Sequence, residues 1–223
     1  IENHVYGKLA QHFNDQFHFN YFFPSLLSRY SVLLPKEKEI QYHLSDQNVT
    51  YDRKEIEQMT LHTWHSKNQA AISPELGMPP LADVSKTLEI TSIKDWNFVV
   101  DWYADLSTGR AKADFDVKML IQELFKDNKN ASDLEKAKII YEYIVRNITY
   151  SNVDFLHGAY VPQKASTTIN TKMGDCKDVS TLFVTLAREI GLKANLVLVD
   201  TRDNGEKDMI LPSIRFNHCI VEL

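Results

Sequence analysis

The spacing of apolar residues changes partway along this chain, and that change limits what it can fold into. Through the first 90 or so residues apolar and polar side chains alternate. Tyr30, Val32 and Leu34 do so up to Pro35, then Ile40, Tyr42 and Leu44, then Met59, Leu61 and Thr63. An aromatic stretch from Phe17 to Phe23 stops at Pro24. Successive side chains on a strand point to opposite faces. Period-2 runs separated by polar turns therefore predict an antiparallel sheet with one solvated face. Ser73 to Pro80 holds three prolines and a glycine and predicts a loop. No repeat of fixed period is visible.

Beyond this point the period becomes helical. Trp96, Val99, Val100 and Tyr103 share a face, with Gly109 past the end. Val117, Leu120, Ile121 and Leu124 mark a second helix. Ser132-Asp133-Leu134-Glu135 is a capping-box sequence, opening a third helix with Ala137, Ile140, Tyr141 and Ile144 on one side. The most continuous stripe is Val179, Leu182, Phe183, Leu186, Ala187 and Ile190, followed by Gly191 where a helix-ending glycine belongs. Two strands follow, Leu196 to Val199 and Ile214 to Val221, joined by a loop with Asp203-Asn204-Gly205 and Pro212. The fold class is α+β, with an antiparallel β-rich domain over residues 1–95 and an α+β domain over 96–223.

Composition narrows the function classes. Of 223 residues 43% are hydrophobic and 25% charged, so the chain can bury a core. A net charge of -5 excludes a generally basic nucleic-acid binder. No apolar run approaches the roughly 20 residues that span a bilayer. Two cysteines cannot make a dense disulfide framework. The histidines give no metal site. His62 and His65 fall on opposite faces of an extended strand, and His4, His12 and His18 lack ligand spacing. No cofactor motif is present. Trp64, Trp96 and Trp102 are expected in cores or at a domain interface.

The chemistry points to Met173-Gly174-Asp175-Cys176-Lys177-Asp178, at the start of the strongest helix. Free N–H groups and the helix dipole favour an anion there, and the thiolate is the reactive form of cysteine. Asp175 and Asp178 oppose that effect, and a cationic partner would offset them. A histidine is the usual partner, and His218 lies 42 residues on, in Phe216-Asn217-His218-Cys219. Alternation along a strand turns His218 and Cys219 to opposite faces, which argues against a Cys176–Cys219 disulfide.

These residues resemble the transglutaminase-like superfamily. The resemblance rests on Gly174-Asp175-Cys176-Lys177-Asp178 heading an apolar helix, then Gly191-Leu192-Lys193-Ala194, Val197-Leu198-Val199, Leu211-Pro212-Ser213 and Phe216-Asn217-His218. Tyr141 to Tyr150 resembles the helix and turn that open that core. The likeness covers roughly residues 130–223. Trp64, Asn68, Pro74-Glu75 and Met78-Pro79 also resemble a β-rich domain of unknown function that precedes this core in many bacterial proteins, notably of Bacteroidetes.

The resemblance implies a papain-like Cys–His–Asp site. Cys176 would be the nucleophile and His218 the general base. The family's Asp lies on the strand after the His strand. The chain ends at Leu223, so the core is expected to be truncated one strand short of it; Glu222 is a poor substitute. The Cys176 N–H is the expected first oxyanion donor, with Tyr150, Tyr160 and Asn170 as candidates for the second. The implied activity is thiol-dependent cleavage or transfer at an amide bond of a peptide or protein, with no cofactor. The competing reading is a non-catalytic binding or scaffold module that keeps the fold. Such two-part proteins look exported in Gram-negative bacteria, which implies a periplasmic location. Oligomeric state is not legible.

Overall fold

The computed structural model describes residues 7–151 and 160–223; His4 lies outside them. Two compact units are present. The first runs to Val100 and also includes Thr201–Arg215, a segment that the sequence reading assigned to the second domain; the second comprises Asp101–Asp200 and Phe216–Leu223.

The first unit holds β1 (Asn14–His18), β2 (Ser25–Pro35), β3 (Gln41–Leu44), β4 (Thr50–Ile56), β5 (Met59–Gln69), the short helix α1 (Leu81–Val84) and β6 (Thr87–Thr91). They form two antiparallel three-stranded sheets, in the orders β1-β6-β3 and β2-β5-β4. Both contribute to one core of Phe19, Val49, Trp64, Leu88 and Ile90.

On β5 the buried face is Thr60, His62, Trp64 and Ser66 rather than Met59, Leu61 and Thr63, whose alternation with polar residues suggested the strand. Trp64 decides this. It is fully buried, with Tyr30, Tyr42 and Tyr51 packed around it at ring centroid distances of 6.2, 5.2 and 5.1 Å. One large aromatic ring in such a cluster outweighs a Met and a Leu left partly exposed. His62 and His65 do fall on opposite faces; His65 pairs with Asp52 at 3.4 Å.

The segment 201–215 is held in the first unit by carboxylates. Asp83 accepts from the backbone N–H of Glu206 at 2.9 Å and of Lys207 at 3.1 Å. Glu89, on β6, accepts from the N–H groups of Ile210 and Leu211 at 3.3 Å each and pairs with Arg215 at 3.5 Å. Asn14 accepts from the Ser213 hydroxyl at 2.9 Å. The apolar pattern starts the last strand at Ile214, but the Ile214 N–H donates to Asn14 at 3.4 Å and the Arg215 N–H to the Ser213 hydroxyl at 3.2 Å, and the strand begins only at His218.

The helix α2 (Trp96–Thr108) runs from the first unit into the second. The second unit continues with α3 (Phe115–Phe125), α4 (Asp133–Asn147), β7 (Thr149–Tyr150), α5 (Ala165–Thr171), β8 (Met173–Gly174), α6 (Cys176–Glu189), β9 (Asn195–Val199) and β10 (His218–Glu222). The Ser132 capping box is formed, with the Ser132 N–H donating to Glu135 at 2.8 Å and the Glu135 N–H to the Ser132 hydroxyl at 3.4 Å. Beyond α6, Gly191 takes a left-handed turn at φ +85°, as its place in the sequence implies. The core is built from α3, α4, α5 and α6 through Val117, Leu120, Ile140, Ile144, Ile169, Leu182 and Leu186. β9 and β10 pair antiparallel, and β7 and β8 make a two-residue parallel ladder. No helix among the described residues is long and apolar enough to cross a membrane.

Leu182 has no exposed surface, whereas Leu134 is 81% exposed. Leu182→Ala is expected to lower the unfolding free energy by about 2–5 kcal/mol in a denaturant titration. Leu134→Ala should change it by less than about 0.5 kcal/mol.

Candidate active site

Two aspartates fix the start of α6. Asp175 takes the N-cap position and accepts from the N–H groups of Lys177 at 3.1 Å and Asp178 at 3.2 Å. The Asp178 carboxylate reaches back to the Asp175 N–H at 3.2 Å, closing a reciprocal capping box. Cys176 is thereby the first helical residue, and it is partly buried.

Asp178 also faces outward from this box. It is 4% exposed and accepts from the Gln163 backbone N–H at 2.7 Å and from the Gln163 amide at 2.9 Å. A buried carboxylate needs several such donors, and these tie the stretch before α5 to the head of α6. Gly174 is required by space alone. A Cβ there would meet the Asp178 Cβ at 2.8 Å and Thr168 Cγ2 at 3.3 Å.

The cation that offsets the aspartates is Lys177. Its ammonium pairs with Asp175, and its side chain is only 14% exposed. Burial works against the charged lysine, but the hydrogen bond and charge of Asp175, followed by Asp178 and Cys176, outweigh it and raise Lys177 above the ordinary value. Lys177 therefore stays protonated beside the thiol. The charge for which the sequence suggests a histidine is thus supplied by the residue next to the cysteine.

Tyr150 reaches the same atoms. β7 pairs with β8 so that Tyr150 lies opposite Gly174, and the Ser151 N–H donates to Gly174 O at 3.0 Å. The Tyr150 hydroxyl lies close enough to Cys176 for the charge of that residue to act on it. Burial raises its pKa first, with the Cys176 charge and hydrogen bond and the Asp175 charge adding to it.

His218 opens β10, opposite Val199. Its approach is held on two sides. The Asn217 N–H donates to Val199 O at 3.1 Å, and the Tyr160 hydroxyl donates to Phe216 O at 3.2 Å. The Tyr160 ring stands edge-on to Trp102 at 5.1 Å. β10 is in turn fastened to α6, since the Ser180 hydroxyl, one turn after Cys176, donates to Cys219 O at 3.1 Å. The strand headed by His218 and the helix headed by Cys176 are thus bonded near their starts.

The other candidates are placed elsewhere. Asn170, near the end of α5, is exposed and its amide donates to Asp116 of α3 at 2.8 Å, so its place as an oxyanion donor is withdrawn. The helix direction at that point, which residue spacing alone does not reveal, carries the side chain to α3. The Tyr160 hydroxyl is spent on Phe216 rather than on a substrate oxygen. Glu222, at the far end of β10, accepts from Asn195 at 3.4 Å. Cys219 is 3% exposed, with its sulfur 3.7 Å from the Tyr103 hydroxyl, and burial pushes its thiol up. Both cysteines are free. Among the described residues no group of three His, Cys, Asp or Glu side chains is arranged to hold a metal ion.

The part of the chain that carries this arrangement also has a counterpart among known families. Residues 118–223 match the model of the transglutaminase-like superfamily. No curated protein matches the chain significantly. Two solved structures match it. One is a "putative protease" from Parabacteroides distasonis ATCC 8503, with a TM-score of 0.70 at 15% identity over 94% of this chain. The chain spans 40% of that protein's length, and at this identity the likeness shows the fold alone. The other is a "putative cysteine protease" from Cytophaga hutchinsonii, at 13% identity over 95% of this chain and 74% of the other; its TM-score of 0.37 carries no argument.

Gly174→Ala is expected to destabilise the protein by about 1–3 kcal/mol, because the new methyl group overlaps Asp178. Gly109→Ala, with nothing within 4 Å of the added carbon, should stay within about 0.5 kcal/mol. Thermal or chemical unfolding of the pair measures the difference.

Proposed function

We propose that the chain is a thiol-dependent enzyme acting on an amide bond of a peptide or protein, with Cys176 as nucleophile and His218 as general base. The observation that carries this is Cys176 at the first position of a helix whose neighbouring aspartates are countered by a half-buried Lys177, with β10 bonded to the same helix. In the forward step the Cys176 sulfur attacks the amide carbonyl as His218 takes the thiol proton. The carbonyl oxygen gains negative charge, and the Cys176 N–H is the donor nearest to it. The Tyr150 hydroxyl, on the strand beside Gly174, is the second donor in this reading. Collapse breaks the C–N bond, and the amine leaves with the proton held by His218. A water molecule or a second amine then attacks the thioester, gives an acid or a new amide, and restores the thiol. Hydrolysis is the reading we favour, and a periplasmic location is proposed with it.

The test is turnover of fluorogenic peptide amides with and without an added amine. Cys176→Ala should abolish turnover, and His218→Ala should lower it by about a hundredfold or more. Cys219→Ser should leave it within about twofold, since that thiol is buried away from solvent. No turnover on a broad peptide-amide library, together with Cys176 alkylation no faster than that of free cysteine, would overturn the enzyme and favour a binding module.

Burial also separates the two thiols. Iodoacetamide on the folded protein is expected to modify Cys176 alone, and Cys219 only after unfolding, as read by intact mass and peptide mapping.

A further inference from the structure

The first unit carries a cavity of its own. It is bounded by β3, the β4–β5 hairpin and the residues after β6, with a volume of about 470 Å³, and every residue lining it belongs to that unit. None of them takes part in the thiol site. The volume lies in the range of small-molecule sites.

Four cations line it, Lys36, Lys38, Arg53 and Lys94, against one carboxylate, Glu39. Glu55 lies beside it, 2.9 Å from Lys36 and 3.8 Å from Arg53. Even with Glu55 counted, the cavity keeps an excess of positive charge. The only aliphatic residue in the lining is Ile40, which disfavours an apolar ligand.

Thr60 adds an independent sign. It lines the cavity and is 2% exposed, and its hydroxyl has no hydrogen-bond partner among the described residues. A buried hydroxyl left without a partner is costly, and such groups in folded proteins are nearly always satisfied. A ligand hydroxyl, which both donates and accepts, would complete it. Tyr42 supplies a third element. The residue is 40% exposed, and its ring is braced by Tyr51 at 5.0 Å and Trp64 at 5.2 Å. A braced, half-open aromatic ring offers an apolar face at low entropic cost.

Positive charge, an unpaired buried hydroxyl and a braced aromatic face in one cavity belong together for one ligand class. We propose that this cavity binds a short acidic saccharide, one or two sugar rings bearing a carboxylate. The carboxylate meets the lysines and Arg53, a ring hydroxyl meets Thr60, and the C–H face of a sugar lies on Tyr42. A bare inorganic anion would leave Tyr42 and Thr60 unused, and a neutral sugar would leave the charge unanswered.

The experiment is calorimetric titration of the whole chain at low salt with digalacturonate, lactose and sodium sulfate. Digalacturonate should bind, and lactose and sulfate should bind at least about tenfold more weakly. Lys94→Ala and Thr60→Val should each weaken digalacturonate binding by about fivefold to tenfold, with the melting temperature and Cys176 alkylation rate unchanged. Should Thr60→Val fail to fold, Lys94→Ala and amide chemical-shift changes confined to the cavity lining decide the matter. Lactose or sulfate binding as tightly as digalacturonate, binding unaffected by Lys94→Ala, or no binding of digalacturonate at millimolar concentration would each overturn the proposal. Because the thiol chemistry is read separately, failure here leaves the reading of Cys176 and His218 intact.

Discussion

The buried carboxylate of Asp178 is the point on which the second unit's site depends. It caps the helix that presents Cys176, holds Gln163 by two hydrogen bonds, and fills the space that forces residue 174 to be glycine. One acceptor-only group therefore sets the starting position of α6 and ties down the chain leading into α5. The arrangement is stable because every bond to Asp178 is charge-assisted, and because Asp175 and Lys177 balance charge locally instead of leaving it to solvent. A thiol placed in that setting sits next to a cation, a helix N-terminus and a phenol, three groups that each interact with negative charge.

Local signals in the sequence proved legible. The capping box at Ser132, the stripe of α6 and the glycine at 191 depend on residues within one or two turns of each other, and each is found where the pattern puts it. What stayed hidden depends on distant packing. The inward face of β5 is chosen by Trp64 and three tyrosines from other strands, not by the strand's own alternation. α5 reads Ala-Ser-Thr-Thr-Ile-Asn-Thr, a run poor in helix formers, and is helical because Ala165, Ser166, Thr168 and Ile169 are buried against the core.

The site shows the same division. Cys176 could be singled out because its helix could be. Among the three candidate donors, Tyr150 is set opposite Gly174 by the parallel pairing of β7 with β8, while Tyr160 and Asn170 bond Phe216 and Asp116. Gln163 carried no sequence signal, because its importance comes from a carboxylate fifteen residues later. The cavity in the first unit was equally silent. Its lining comes from several strands and loops, and its most informative member, Thr60, is an ordinary residue until its burial without a partner is seen.

The path of the chain between β9 and β10 has a consequence for taking this protein apart. These strands are partners in one sheet, yet the residues joining them, Thr201 to Arg215, are bonded through Asp83, Glu89 and Asn14 into the other unit. The polypeptide therefore passes from one unit to the other three times, near residues 100, 200 and 215. No single cut divides it into two self-contained halves. A fragment beginning after Val100 would carry fifteen residues stripped of their partners, immediately before the histidine. Any attempt to study the thiol core alone needs a short artificial link from Asp200 to Phe216.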